Sequence, residues 1–204
     1  MHFLPRVDNP WFPLRPGTVF VYRGSKEGAR GRDVVTVTSA KKLIQGVRCT
    51  VVDDRLYVGE HLAERTADWY AQDEEGNVWY FGEDTAELDE SGRVTTREGS
   101  WQAGIDGARA GILMPAHPRV GRSFLQEYYK GHAEDHSQVL SLAASIRVQY
   151  ASSRHALLTR EWTPLEPGVL DHKVYIRGVG MVKEETVKGG AERWVLVNVR
   201  RGPS

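Results

Sequence analysis

The chain carries a single cysteine, Cys49, among 204 residues, so no intrachain disulfide can form. That excludes the disulfide-stapled scaffolds of small secreted domains. Cys49 lies in the apolar run "GVRCTVV", where a buried, inert thiol is expected. Net charge is also absent, since Lys+Arg and Asp+Glu both number 27. Nucleic acids and anionic membranes favour a basic surface, so neither is an expected partner. The adjacent basic pairs, Lys41–Lys42 and Arg200–Arg201, read as a solvated turn and tail. No apolar stretch approaches the length of a membrane span. The opening "MHFLPRVDNPWFPLRPG" holds four prolines and no apolar core of signal-peptide length, so a cytoplasmic location is expected.

Two further absences concern fold and chemistry. No window of about a dozen residues keeps apolar side chains at helical spacing with caps at its ends. The signatures GxSxG, GxGxxG, CxxC and the P-loop are all missing. Nucleotide-dependent redox or phosphoryl chemistry is not expected, and no cofactor is.

β signals dominate what is there. "DVVTVTSA" (33–40), "VRCTVVDDRLYV" (47–58) and "RWVLVNV" (193–199) are rich in β-branched and aromatic residues. "ADWYAQDEEGNVWYFGED" (67–84) reads as a hairpin whose arms flank the turn residues "DEEGN". A second hairpin is expected over 175–199, turning at "KGG". "PLRPGTVFVYRG" (13–24) and "PLEPGVLDHKVYIRG" (164–178) echo each other as Pro-Gly turns that launch strands. "SLAASI" (141–146) is either one helical turn or a bend. About ten to twelve short strands in one domain spanning 1–204 fit an all-β fold, an antiparallel barrel or a lipocalin-like, strongly curved sheet. The stretch 98–121 is glycine-rich yet carries the apolar cluster "ILMP", and reads as a lid loop over one mouth or an irregular edge connection.

"EYYKGHAEDH" (127–136) concentrates ionisable and aromatic groups. If it is a hairpin turning near Lys130–Gly131, alternation puts Glu127 and Tyr129 on one face and Gln126 and Tyr128 on the other. Glu127, Glu134 and Asp135 are candidate acids or bases, because a carboxyl desolvated beside an ionised one can hold its proton at neutral pH. Tyr128 is a candidate hydrogen-bond donor to a developing oxyanion. His132, Glu134 and His136 sit at i, i+2, i+4 and could instead converge on a metal ion. A plain solvated hairpin is the third reading. Elsewhere, Trp69, Trp79, Trp101 and Met114 are candidate walls of a ligand pocket, since such pockets are mostly apolar and aromatic.

"NPWFPLRPGTVFVYRG", "DWYAQDEEGNVWYFGED", "EGSWQAGIDGARAGILMPAHPRVG", "QEYYKGHAED" and "EWTPLEPG" followed by "HKVYIRGVGMVKEE" resemble a group of bacterial proteins without an assigned activity, many of them apparently exported. The resemblance covers almost the whole chain and carries over no catalytic residues. Together these readings imply a barrel enclosing an apolar small molecule. If catalytic, it would be a cofactor-free cyclase or isomerase in natural-product biosynthesis, needing a shaped pocket and one proton donor. The competing readings are a non-catalytic carrier and a metal-dependent protein using His132, Glu134 and His136.

Overall fold

The computed structural model describes residues 2–202, which form sixteen strands and no helix. The first eight are β1 (Phe3–Leu4), β2 (Val19–Lys26), β3 (Ala29–Ile44), β4 (Val47–Val58), β5 (His61–Asp73), β6 (Val78–Leu88), β7 (Val94–Thr96) and β8 (Trp101–Gln102). The others are β9 (Arg109–Met114), β10 (Ser123–Leu125), β11 (Glu127–Tyr128), β12 (His136–Arg147), β13 (Ser152–Trp162), β14 (Leu170–Ile176), β15 (Gly180–Lys188) and β16 (Arg193–Arg200). Thirteen strands follow one antiparallel path, β10-β12-β13-β14-β15-β16-β2-β3-β4-β5-β6-β9-β11, with β1 added to β5 and β7 and β8 added to β6.

Tight turns build the central meander. Lys26 pairs with Ala29 and Ile44 with Val47, leaving two-residue turns at Glu27–Gly28 and Gln45–Gly46. All four turn residues have positive φ, at 53°, 82°, 49° and 80° in chain order. That is the primed geometry whose twist matches the flanking strands.

The two ends of the strand path are consecutive in the chain. β10 pairs with β12 and β11 with β9, and Gln126 between them donates its backbone N–H to the Asp135 carbonyl at 2.8 Å. Six residues, 123–128, thus join the opposite edges of the sheet into a nearly closed barrel. Gly111 permits this closure, because a Cβ there would lie 2.4 Å from the Gln126 backbone.

Alternation assigns one face of each strand to the interior. Registered across the meander, Tyr80, Tyr70 and Thr50 form one inner row, and Glu83, Asp68, Val52 and Val37 the next. Thr85, Thr66, Asp54, Val35 and Phe20 form a third, and Glu64, Leu56, Asp33 and Tyr22 a fourth. Val37, Val139, Leu157, Val182 and Leu196 are fully buried in the core.

The N-terminal segment crosses one end of the barrel. The Asp8 and Asn9 backbone N–H groups donate to Gln72 Oε1 on β5, and Gly178, between β14 and β15, donates to the Pro10 carbonyl. Within 98–121, residues 101–102 and 109–114 pair with β6 as wall strands. "SLAASI" is a bend and not a helical turn. It continues β12, whose pairing with β13 shifts register three times between Val139 and Ile146. Such bulges bend a strand without ending it.

Candidate functional site

The inner rows line a cavity of about 210 Å³. Phe12, Phe20, Tyr22, Tyr70 and Tyr175 supply aromatic walls, with Leu14, Val35, Val52 and Leu113 between them. Asp33, Asp54, Asp68, Glu184 and Lys173 supply the charge. Phe12 arrives on the N-terminal segment and meets Tyr70 edge-on at 5.3 Å. Tyr70 in turn stacks on Tyr80 at 4.8 Å.

Lys173 is committed to its neighbours. Its ammonium lies 2.9 Å from Glu161 Oε2 and 3.3 Å from Glu184 Oε1. Burial pulls the ammonium down, but the two carboxylates outweigh it and hold Lys173 well above the usual lysine value. The three aspartates have no such partner. Asp68 is pushed up to about 7, first by burial and then by the negative charge of Asp54. The Tyr80 hydroxyl, donating to Asp68 Oδ1 at 2.6 Å, works against that rise. Burial raises Asp33 to about 6, and burial with the Asp33 charge raises Asp54 well above the carboxylate range. Asp54 therefore keeps its proton beside Asp33. Asp33 Oδ1 is sealed from water, and no N–H or hydroxyl group reaches it.

A second acidic pair lies elsewhere in the interior. Glu127 is buried on β11 and accepts a hydrogen bond from Trp101 Nε1 at 2.8 Å. Burial and the neighbouring Asp135 charge push it up to about 8. It donates to Asp135, which burial also raises. Glu127 and Asp135 are thus brought together as a proton-sharing pair, although neither lines the cavity. Gln126, assigned by alternation to the face opposite Glu127, is buried as well, because the chain changes pairing partner at this residue.

The other candidates go elsewhere. Tyr128 is half-buried under the Arg109 guanidinium, 4.2 Å from its ring centre. Glu134 accepts the Gly131 backbone N–H and stabilises the turn closed by the Tyr129–Ala133 bridge. That turn carries His132 onto Tyr129, at 4.4 Å, while His136 stacks on Trp162 at 5.4 Å. Among the described residues, no group of three His, Cys, Asp or Glu side chains is placed to hold a metal ion. Trp69 lies under the Lys42 ammonium, 3.2 Å from its ring centre. Trp79 donates to Asp73 in the β5–β6 turn, and Met114 is buried where β9 pairs with β6. Trp101 packs edge-on to Tyr80 at 5.4 Å. The cavity is lined by other residues than these four. Cys49 is fully buried, and burial pushes its thiol up to about 12.

No protein-family model and no curated protein matches this chain. Solved structures resemble it in fold. A "putative exported protein with YmcC-like fold" from Bacteroides fragilis NCTC 9343 is 11% identical, with 94% of this chain and 99% of that one aligned at a TM-score of 0.56. A "putative lipoprotein" from Parabacteroides distasonis ATCC 8503 is 10% identical over 94% and 99% of the two chains, at a TM-score of 0.49.

Proposed function

We propose that the protein binds a small organic molecule inside its barrel. The observation that carries this reading is the 210 Å³ cavity, walled by aromatic rings and lined by four carboxyls, of which Asp68 is buried. An apolar space of roughly 150 Å³ holds a benzene ring. This one therefore has room for about one ring and a short substituent. Mostly apolar walls with a few fixed polar groups are what small-molecule sites share. A carboxyl held out of water costs stability, so a purely structural core gains nothing from Asp68.

A catalytic form of the same reading is favoured by Asp68. A carboxyl at about 7 can both give and take a proton near neutral pH, and this one lines the cavity. The reaction class that suits it is a cofactor-free cyclisation or isomerisation, with the walls holding one conformer of the substrate. The non-catalytic alternative is a carrier that releases its ligand unchanged.

Native mass spectrometry of freshly purified protein, set against its denatured mass, tests the binding reading. A retained organic mass that disappears in the cavity-filling variant Val35→Phe supports it. A bare mass that no small organic probe shifts counts against it. Recovery of the released molecule after incubation then separates carrier from enzyme.

A further inference from the structure

The charges around the cavity do not balance. Four carboxyls line it, those of Asp33, Asp54, Asp68 and Glu184, against one cation, Lys173. Lys173 is already paired with Glu161 and Glu184. Asp33, Asp54 and Asp68 therefore face a confined, ring-lined space without a cation. Asp68, only 8% exposed at this wall, is met by a phenol O–H from Tyr80 but, among the described residues, by no N–H donor. An ammonium carries three such donors and no acceptor.

We propose that the cavity takes a small protonated amine with an apolar or aromatic body, its ammonium held among Asp33, Asp54 and Asp68. This identifies the ligand class for the enclosure reading above and rests on it. The aromatic walls suit both ends of such a ligand. Phe12 and Phe20 offer apolar contact, and the faces of Tyr22, Tyr70 and Tyr175 attract a cation as well. A carboxylate ligand would meet like charge, and a hydrocarbon would leave the three aspartates without a cation. A bare metal ion would need several donors at fixed geometry, and no such group exists among the described residues.

Proton exchange accompanies binding. In the empty barrel, the acids limit their mutual repulsion by retaining protons. Asp33 is surrounded by Asp54, Glu64 and Glu184, and Asp68 by Asp54, Glu64 and the Tyr70 and Tyr80 phenols. An arriving ammonium favours the ionised carboxylates. Binding therefore releases protons and strengthens as pH rises through about 6 and about 7, where Asp33 and Asp68 titrate.

Calorimetric titration of the full chain with benzylamine, benzyl alcohol and benzoate tests this. Benzylamine is expected to bind at least about tenfold more tightly than benzyl alcohol, the scale of a hydrogen bond to a charged group. Benzoate is expected not to bind. Repeating the benzylamine titration in two buffers of different ionisation enthalpy should show proton release. The double variant D33N/D54N should lose the preference for the amine while still binding benzyl alcohol, which reports an intact cavity. Equal affinity for benzylamine and benzyl alcohol overturns the amine proposal and leaves enclosure standing. Failure of all three probes in both the parent and D33N/D54N overturns enclosure, and the amine proposal with it.

Discussion

Tyr80 on β6 donates a 2.6 Å hydrogen bond to Asp68 on β5, inside the barrel and one register row away. The phenol favours the ionised form of Asp68, while burial and Asp54 oppose it. Replacing Tyr80 with Phe removes the favourable contribution. Asp68 should then titrate above its present value of about 7. The stability cost should be about 1.5–3 kcal/mol above that pH, where a buried charge loses its donor. It should be smaller at pH 5, where Asp68 is already protonated. Carboxyl-resolved NMR titration of the parent and Tyr80→Phe, with urea melts at both pH values, checks both statements.

The acidic interior also sets how the whole fold responds to pH. Asp33, Asp68, Glu127 and Glu83 are raised to about 6, 7, 8 and 10. Burial comes first in each case. Each group binds its proton more tightly folded than unfolded. Its contribution is therefore best below the unfolded carboxyl value of roughly 4 and is lost as pH climbs through the folded value. Asp73 behaves oppositely. Burial pushes it up, but hydrogen bonds from Trp79 and Asn77 outweigh that and hold it below the usual range, so its contribution fades in acid. The melting temperature should therefore peak in mildly acidic solution and decline from about pH 5 to pH 9. Asp68→Asn should flatten the decline and stabilise the protein at pH 8, by roughly 1–3 kcal/mol on the scale of buried charges replaced by neutral groups. Calorimetric melts across that range would show a rise towards pH 9 if the interior acids were not desolvated.

Much of this was legible in the residues. The hairpins over 67–84 and 175–199 lie where the turn chemistry places them, as β5–β6 and, around "KGG", β15–β16. In "VVDDRLYV" a period of two sends Val52, Asp54 and Leu56 to one face and Asp53 and Arg55 to the other. One aspartate of the pair must therefore share a face with core residues. Asp53 meets Arg55 at 2.9 Å outside, and Asp54 faces the cavity. The same count applied to "DVVTV" puts Asp33 beside Val35 and Val37. Polar residues in strands are ordinarily assigned to water, and that habit hid these acids while "EYYKGHAEDH" drew attention by its density. The contribution of Lys173 could not be read, because Glu161 and Glu184 come from different strands whose registers only the folded sheet defines. Barrel closure was equally hidden, since a six-residue segment that changes partners at Gln126 has no periodicity to detect.

That closure depends on one missing side chain. Gly111 faces the Gln126 carbonyl, and a Cβ placed there would sit 2.4 Å from it. The obstacle is backbone, which cannot rotate away. Gly111→Ala should push β9 from β11 and loosen the 123–128 junction, at a cost of about 1–3 kcal/mol or more. Amide hydrogen exchange should speed up at Gln126 and along β11 while β3 and β4 stay protected. Uniform exchange across the barrel would mean that the junction is not a separable seam.

Lys173 holds the interior together against its own acids. It pairs with Glu161 on β13 and Glu184 on β15, spanning β14 between them. Removing it as Lys173→Met keeps most of the length of the side chain and strands the buried Glu161 carboxyl and the partly buried Glu184 carboxyl. Breaking a buried pair from one side costs about 3–5 kcal/mol. Part of that cost is avoidable, because a stranded carboxyl can take up a proton. The variant should therefore be closest to the parent in mild acid and weakest above neutral pH. Lys173→Met combined with Glu184→Gln removes one of the two stranded charges and should recover part of the loss at pH 8. Urea melts of the single and double variants at pH 5 and pH 8 decide it. If the double variant is no more stable than Lys173→Met, the lysine acts through packing of its methylene chain. If it recovers at pH 8 and not at pH 5, the ammonium is the counter-charge that lets this acidic barrel fold at neutral pH.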